Sequence, residues 1–433
     1  MVPAVDQGNR ARTCWSCGDY RDNSDTDGGA DVPGRIVRAA AETPGEVSPV
    51  ESTAAELRYR RGESLGPLDG VVISVKDIIA VEGMQWEAGS EVLRGNLAAA
   101  DAAAVAALRR SGCVIVGKTS LDEFALTTTG PAVNPHDDRL TAGGSSCGSA
   151  VAVRSSMSFF DLATDTGGST RIPAYRCGVT GLKPTRSLLS TDGVVPLAHS
   201  LDHLGLITRS ARDCAIAFDS MLPGTPPERR TAFEPRNLRV GVPSNLHFYG
   251  PDAESGYHES IATLISAGMS RVEFDLPDLD ILADIHKTIL LAEMREFHGR
   301  RFGRSEHRYG PGLEEFLWNA QEITNAQYLE AQRRRDEMTA AISELFTSCD
   351  LLLLPTLLVD TPLAGQSVID LGGAPTFATT AMVRLTSLFD HTGHPALTVS
   401  PHSSAHKNLA GVQLVAAHYD DMFLLDVAQF CGA

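Results

Sequence analysis

Two serines stand on glycine-marked turns that flank one short apolar segment. The first cluster reads Gly143-Gly144-Ser145-Ser146-Cys147-Gly148-Ser149-Ala150, and the second reads Asp165-Thr166-Gly167-Gly168-Ser169-Thr170-Arg171. Glycine reaches backbone angles closed to other residues, so Gly167-Gly168 ahead of Ser169 can turn successive N–H groups into one concavity. A nest of that kind holds the oxyanion that forms when a serine hydroxyl attacks a carbonyl. The chemistry indicated is nucleophilic catalysis by Ser169, which needs a base within hydrogen-bond reach.

Lysine is scarce enough to search exhaustively: Lys76, Lys118, Lys183, Lys287 and Lys407 are the five in the chain. Lys76 closes the run Gly70-Val71-Val72-Ile73-Ser74-Val75-Lys76-Asp77, which reads as a buried strand delivering its last side chain to the end of a sheet. A lysine held there loses solvation of its charged form, its pKa falls, and a neutral amine becomes available as a base. On this run alone, an ordinary strand-end lysine paired with a carboxylate is the stronger reading. Lys183 is the rival base, with Pro184 behind it suggesting a rigid turn.

Taken together, these motifs resemble the amidase signature family, whose members cleave carboxamides with a serine, cis-serine, lysine triad. The resemblance is carried by Leu68-Asp69-Gly70-Val71 to Lys76-Asp77, Val116-Gly117-Lys118-Thr119, Gly143 to Ser146, Asp165 to Arg171, and Gly181-Leu182-Lys183-Pro184-Thr185. It continues through Ser200-Leu201-Asp202-His203 to Gly411-Val412-Gln413-Leu414, covering most of the chain from about Pro67 in family order. It implies Ser169 as nucleophile, Ser145 as bridging serine after a cis Gly144–Ser145 peptide, and Lys76 as base. The backbone N–H groups of Thr166, Gly167, Gly168 and Ser169 would form the oxyanion hole, with Ser146, Asp165 and Arg171 as supports. One departure is Cys147, where many members have glycine; packing is the plain reading for it.

The elements that must position these groups follow from composition and pattern. The chain has 433 residues, 43% of them hydrophobic, which is ample for a core. A net charge of -17 argues against nucleic-acid or anionic-membrane surfaces, because both repel an acidic protein. The densest positive run, Arg333-Arg334-Arg335, reads as a solvated helix face. Eight cysteines without a framework suit reduced thiols, and the lone Cys14/Cys17 pair lacks the further ligands a zinc site needs. His391 and His394, read as flanking Gly393 in a loop, lack them too, so no metal and no cofactor is expected. With neither a signal-like start nor a membrane-length apolar run, a cytoplasmic protein is expected.

In chain order, residues 1–33 read as a mobile segment and 34–433 as the amidase domain. Ser52 to Arg61 reads as a helix capped by Ser52, and Asp101 as the cap of an alanine-rich helix that runs to Arg110 and stops at Gly112. Gly112 to Thr119 fits the spacing of a phosphate-binding loop. Its four inner residues are apolar and largely β-branched, however, and read as a strand. Gly144 to Gly148 fits a nucleophile elbow on Ser146, with Asp202 and His203 downstream, but Asn134 to Ala142 is too polar for the buried strand an elbow must follow. Residues 214–350, with a strand–helix–strand pattern and two long helices at 285–300 and 326–346, correspond to the variable region that would cover the site. Further strands at 350–356 and 412–416 and a closing helix at 421–430 complete the pattern. The expected fold is a single large α/β domain, a central mixed sheet flanked by helices.

The leading functional reading is hydrolysis of a carboxamide C–N bond through a seryl acyl-enzyme. The partner is then a small-molecule amide, and the resemblance allows a homodimer. A glutamine-dependent amidotransferase subunit that passes ammonia to a partner is the alternative, and an idle scaffold is the third. Substrate hints conflict: residues 183–196 resemble hydrolases of allophanate and related urea derivatives, whereas the Gly-Gly-Ser and Tyr175 to Gly178 regions resemble aryl-acetamide amidases.

Overall fold

In a computed structural model, the described residues are 49–222, 234–303, 309–399 and 411–432. The expectations for residues 1–33, including the Cys14/Cys17 pair, lie outside them. The strands among the described residues are β1 (Val72–Lys76), β2 (Val114–Thr119), β3 (Phe160–Asp165), β4 (Thr180–Lys183), β5 (His203–Thr208) and β6 (Arg239–Pro243). There follow β7 (Ser270–Phe274), β8 (Leu351–Pro355), β9 (Val368–Leu371), β10 (Ala374–Phe377), β11 (Ala396–Val399) and β12 (Val412–Val415). Ten of them form one mixed sheet in the order β2-β1-β3-β5-β4-β11-β12-β8-β6-β7, while β9 and β10 make a separate hairpin. Pairing is parallel at both ends, through β2-β1-β3 and β8-β6-β7, and antiparallel between.

A strand covered on both faces needs an apolar run, and β8, Leu351-Leu352-Leu353-Leu354-Pro355, is buried over its whole length. β3 is buried throughout as well, yet carries Asp161, Thr164 and Asp165, so each polar group needs an internal partner. The Asp161 carboxylate accepts from Ser74 Oγ at 2.6 Å and Thr119 Oγ1 at 3.1 Å, tying β3 to both β1 and β2. Burial pushes the Asp161 carboxyl up to about 6. Because β1 and β3 run parallel with Val75 opposite Leu162, Lys76 and the end of β3 emerge together at the carboxyl edge, where sheets of this kind place their sites.

Helices cover the sheet. Cys147–Arg154 lies against β1, β3 and β5, Arg171–Cys177 against β4 and β11, and the pair Ala211–Asp219 and Asp421–Phe430 against β4, β5, β11 and β12. Leu279–Phe302, Asn325–Leu345 and Ala378–Thr392 pack on one another, and the last of these touches the helix Arg171–Cys177.

Several local readings are corrected. The first helix among the described residues is Pro49–Arg61, so Ser52 lies inside it rather than at its cap. Asp101 does not cap Ala103–Arg110, which has Ala102 at its N-cap and no side-chain bond there. The Asp101 carboxylate instead accepts from Glu82 N at 2.8 Å and pairs with Arg109 at 2.8 Å. His391 sits in the helix Ala378–Thr392, with Gly393 as its left-handed cap at φ 78°. Arg335 is buried rather than solvated, bonding the His391 carbonyl and Ser200, whereas Arg333 and Arg334 pair with Glu330 at the surface. The phosphate-loop spacing falls on β2, as its apolar residues indicated, and Lys118 Nζ is spent on Asp77 Oδ1 and the carbonyls of Ile79 and Gln85.

Leu353 in β8 is fully buried and Trp318 is 72% exposed. Leu353→Ala is expected to cost about 2–5 kcal/mol and Trp318→Ala no more than about 0.5 kcal/mol, read as shifts of the urea unfolding midpoint.

Candidate active site

β1 delivers Lys76 as a fully buried side chain. Its Nζ lies 2.8 Å from Ser145 Oγ and 2.9 Å from Thr164 Oγ1. Among the described residues it forms no ion pair, so the structure removes the ordinary strand-end salt bridge as an account of this lysine. Burial pulls its pKa down to about 8, against the weaker upward pull of Cys147, Asp122, Asp165 and Asp161. A neutral amine in this position has a lone pair for the Ser145 proton and an N–H for Thr164.

Lys183, the rival, is equally buried and lowered further, to about 7, again chiefly by burial. Acidity therefore does not choose between the two lysines; reach does. Lys183 Nζ donates to its neighbour's carbonyl, Pro184 O, at 2.9 Å, and bonds no serine.

The Gly144–Ser145 peptide is cis. Ser145 and Ser146 are both fully buried, and this turn is held against the second serine loop by Ser146 N, which donates to Ser169 O at 3.2 Å. Ser146 Oγ donates to Thr164 O at 3.3 Å. Ser146 is thus turned into the sheet, and no strand precedes it in the irregular stretch 134–146. His203 Nδ1 bonds Leu201 O at 2.6 Å instead of a serine. The elbow arrangement is absent among the described residues.

The loop from Thr166 to Ser169 is pinned from three directions. Thr166 Oγ1 donates to Asp202 at 2.7 Å, and the Gly167 carbonyl accepts from Thr386 Oγ1 at 2.6 Å. Asp165 Oδ2 accepts from the N–H groups of Thr170 at 3.0 Å and Arg171 at 3.3 Å, at the start of the helix Arg171–Cys177, where a carboxylate suits the dipole. Gly168 has φ 131°, and a Cβ on it would meet Thr386 Oγ1 at 2.3 Å, so glycine is required twice over. The N–H groups of Thr166, Gly167, Gly168 and Ser169 make no hydrogen bond within the described residues. Four consecutive free donors in a buried turn form a ready anion receptor.

Beneath the loop, Arg171 is fully buried between two carboxylates, with Nη2 2.8 Å from Asp165 and 2.7 Å from Asp390. Its other nitrogens reach Asp165, the Thr386 carbonyl and Gln413 Oε1. Burial by itself would raise Asp165, but the Arg171 guanidinium overrides it and holds this carboxyl well below the usual range. Burial, then the charge on Asp165, push Asp390 well above that range.

All nine residues singled out from the sequence lie at this sheet edge or in the loops leaving it. Thr164, Asp202, Thr386, Asp390 and Gln413 were missed in these supporting roles. Asp202 had a signal in the Ser200 to His203 motif; Thr386 and Asp390 lie more than two hundred residues from Arg171 in sequence and had none. Among the described residues no group of three or more His, Cys, Asp or Glu is arranged to hold a metal, and no helix is long and apolar enough to cross a membrane. Cys147 is buried, and burial raises its thiol to about 11, which fits packing rather than reactivity.

The family model Amidase matches residues 47–425. The chain is 31% identical to 2-amino-5-chloromuconic acid deaminase of Comamonas testosteroni, covering 87% of this chain and 84% of that protein. It is 30% identical to a glutamyl-tRNA(Gln) amidotransferase subunit of Alkaliphilus metalliredigens (strain QYMF), covering 88% of this chain and 85% of that protein. A solved structure described as a vestigial protein complex revealing the origins of an s-triazine catabolic enzyme superposes with a TM-score of 0.80 at 30% identity, covering 92% and 94% of the two chains.

Arg171→Ala leaves two buried carboxylates without their cation and is expected to cost about 3–5 kcal/mol, measured as the loss in urea midpoint against the parent protein.

Proposed function

The chain belongs to the amidase family, and from that premise we propose that it hydrolyses a carboxamide C–N bond through an acyl-enzyme on Ser169, releasing ammonia or an amine. It is an amidohydrolase by family; the roles of individual residues are our assignment. The observation that carries them is the 2.8 Å contact between Ser145 and the buried Lys76, which forms no ion pair among the described residues, together with the N–H groups of Thr166 to Ser169, which bond nothing among those residues.

In this reading Ser169 Oγ attacks the amide carbon while its proton passes to Ser145 and the Ser145 proton passes to neutral Lys76. The carbonyl oxygen becomes an oxyanion held by the N–H groups of Thr166, Gly167, Gly168 and Ser169. As the C–N bond breaks, the relay reverses and protonates the leaving nitrogen. Water then repeats the sequence on the acyl-enzyme and frees Ser169. Asp202, Thr386 and Asp165 keep the loop in place, Ser146 and Arg171 support it from below, and no cofactor is assigned a step. Residues 214–350 would supply a wall of the site through the helix Leu279–Phe302. A homodimer is compatible with this reading but is not required by it.

The similarity to the glutamyl-tRNA(Gln) amidotransferase subunit supports a second reading, in which the same relay takes ammonia from glutamine for a partner protein. Ammonia or amine release from aryl-acetamides, short aliphatic amides, ureido acids and glutamine tests both. Hydrolysis by the isolated chain is expected for one of the first three classes. Activity confined to glutamine, or dependent on an added partner, would favour the second reading.

Ser169→Ala and Lys76→Ala are each expected to lower kcat by at least about a thousandfold; full turnover in either would overturn the relay. Because the base acts as a neutral amine and Lys76 loses its proton at about 8, kcat/KM is expected to rise with pH up to about 8 and then level. Below that point it should fall about tenfold per pH unit, and a flat profile from pH 6 to 9 would remove Lys76 as the titrating group.

A further inference from the structure

His286, on the helix Leu279–Phe302, lies against the loop that holds the four free donors. A methyl built on Gly167 would sit 3.0 Å from both Cε1 and Nε2 of its ring, and 3.5 Å from Val383 Cγ1. The residue is 8% exposed, and its Nε2 makes no hydrogen bond within the described residues. Its other nitrogen, Nδ1, lies 3.1 Å from Nε2 of His391, in an edge-on pair with ring planes at 81°. His391 is itself fixed from behind, where its carbonyl accepts from Arg335 Nε at 3.0 Å and from Arg186 Nη2. His391 Nδ1 is buried with no partner among the described residues.

The hydrogen-bond pattern assigns the protons. One ring must donate and the other accept, since the two nitrogens face each other. If His286 donated, neutral His391 would carry its proton on Nδ1, as a buried N–H with no acceptor. If His391 donates from Nε2, its Nδ1 is a lone pair, and an unpartnered buried acceptor is the lesser cost. The Arg186 and Arg335 charges at the His391 carbonyl disfavour a second proton on that ring. Burial pulls His286 down to about 4, and burial, the neighbouring His286 ring and the Arg335 and Arg186 charges pull His391 well below its usual value, which favours the neutral form of each ring. His286 then carries its single proton on Nε2, the nitrogen beside Gly167.

We propose that the His286–His391 pair is a neutral relay presenting the His286 Nε2–H to the acyl part of the substrate, so that the site selects amides whose acyl group carries a neutral hydrogen-bond acceptor beside an apolar body. The acyl part is the portion met because its oxygen occupies the Thr166 to Ser169 nest, next to which the imidazole stands. The apolar contact comes from Val383 and the buried cluster that it joins with Ile172, Tyr175 and Met382. His286 would touch substrate; His391 acts through it as a positioning residue. The inference rests on the amidase reading for its substrate and on the imidazole geometry for its proton.

The test has two arms on the full chain. Proton–nitrogen correlation spectra of 15N-histidine-labelled protein at pH 7, assigned with His286→Gln, are expected to show His286 neutral and protonated on Nε2. His391→Ala should abolish that preference. An imidazolium, or a proton on Nδ1, overturns the proposal. In the kinetic arm, matched aryl-acetamides with and without a ring acetyl group are compared. His286→Leu should lower the ratio of kcat/KM for the acceptor-bearing amide to that for its plain counterpart at least about tenfold, with His286→Gln restoring most of that ratio. Equal effects on both amides overturn the selectivity, even where Ser169→Ala abolishes turnover. A wild type that hydrolyses no amide overturns the amidase reading and the substrate assignment with it, while the nitrogen spectra still decide the relay.

Discussion

The site depends on one buried guanidinium. Arg171 stands at the first turn of a helix whose start is also the end of the Thr166 to Ser169 loop, and it binds Asp165 on one side and Asp390 on the other. Three separate pieces of chain meet there: the end of β3, the helix Ala378–Thr392, and β12 through Gln413. A buried ion pair adds little net stability, because desolvation offsets its attraction. What this cluster supplies is position. With Asp165 also accepting from two backbone N–H groups, the loop between β3 and the helix has its far end fixed, while its four N–H groups have no partner among the described residues.

The second constraint is dehydration of the lysines. Lys76, Lys118 and Lys183 are all lowered by burial, so a shifted pKa by itself identifies no base. They differ in what each nitrogen reaches. Lys118 meets Asp77 and two carbonyls, Lys183 a single carbonyl, and Lys76 two hydroxyls. Of these partners a hydroxyl is the one that both donates and accepts, as the proposed serine–serine–lysine relay requires. The catalytic assignment is therefore geometric, and the lowered pKa makes the geometry usable.

Where local reading failed, a tertiary contact displaced a local preference. Asp101 had the chemistry of a helix cap, but its carboxylate is engaged by Glu82 N and Arg109. Arg335 looked like one of three solvated arginines, yet it turns inward to the His391 carbonyl and Ser200 while its two neighbours pair with Glu330. His391 looked like a loop residue beside Gly393, and the glycine is instead the cap of the helix containing it. In each case the residue type was informative and its partner was out of view.

The sequence by itself determined the elements with strong local patterns: the apolar β1 and β8, the two glycine–serine turns, the closing helix, and the α/β alternation. Ser169 and the Gly167-Gly168 turn ahead of it were legible because glycine placement is written over a few consecutive residues, whereas the roles of Ser145, Lys76 and the Thr166 to Ser169 donors came from the resemblance to the amidase signature family. Tertiary structure decided which lysine meets a serine, since Lys76 and Ser145 are 69 residues apart and both candidate lysines sit on buried strands. It also decided what faces the loop: Thr386 and Asp390 come from a helix beyond residue 377 and His286 from another beyond residue 278. The physical reason is range. Backbone angles and alternation are set by neighbours in the chain, whereas the partner of a buried charge or hydroxyl is chosen by strand order and helix packing, which only the folded chain fixes.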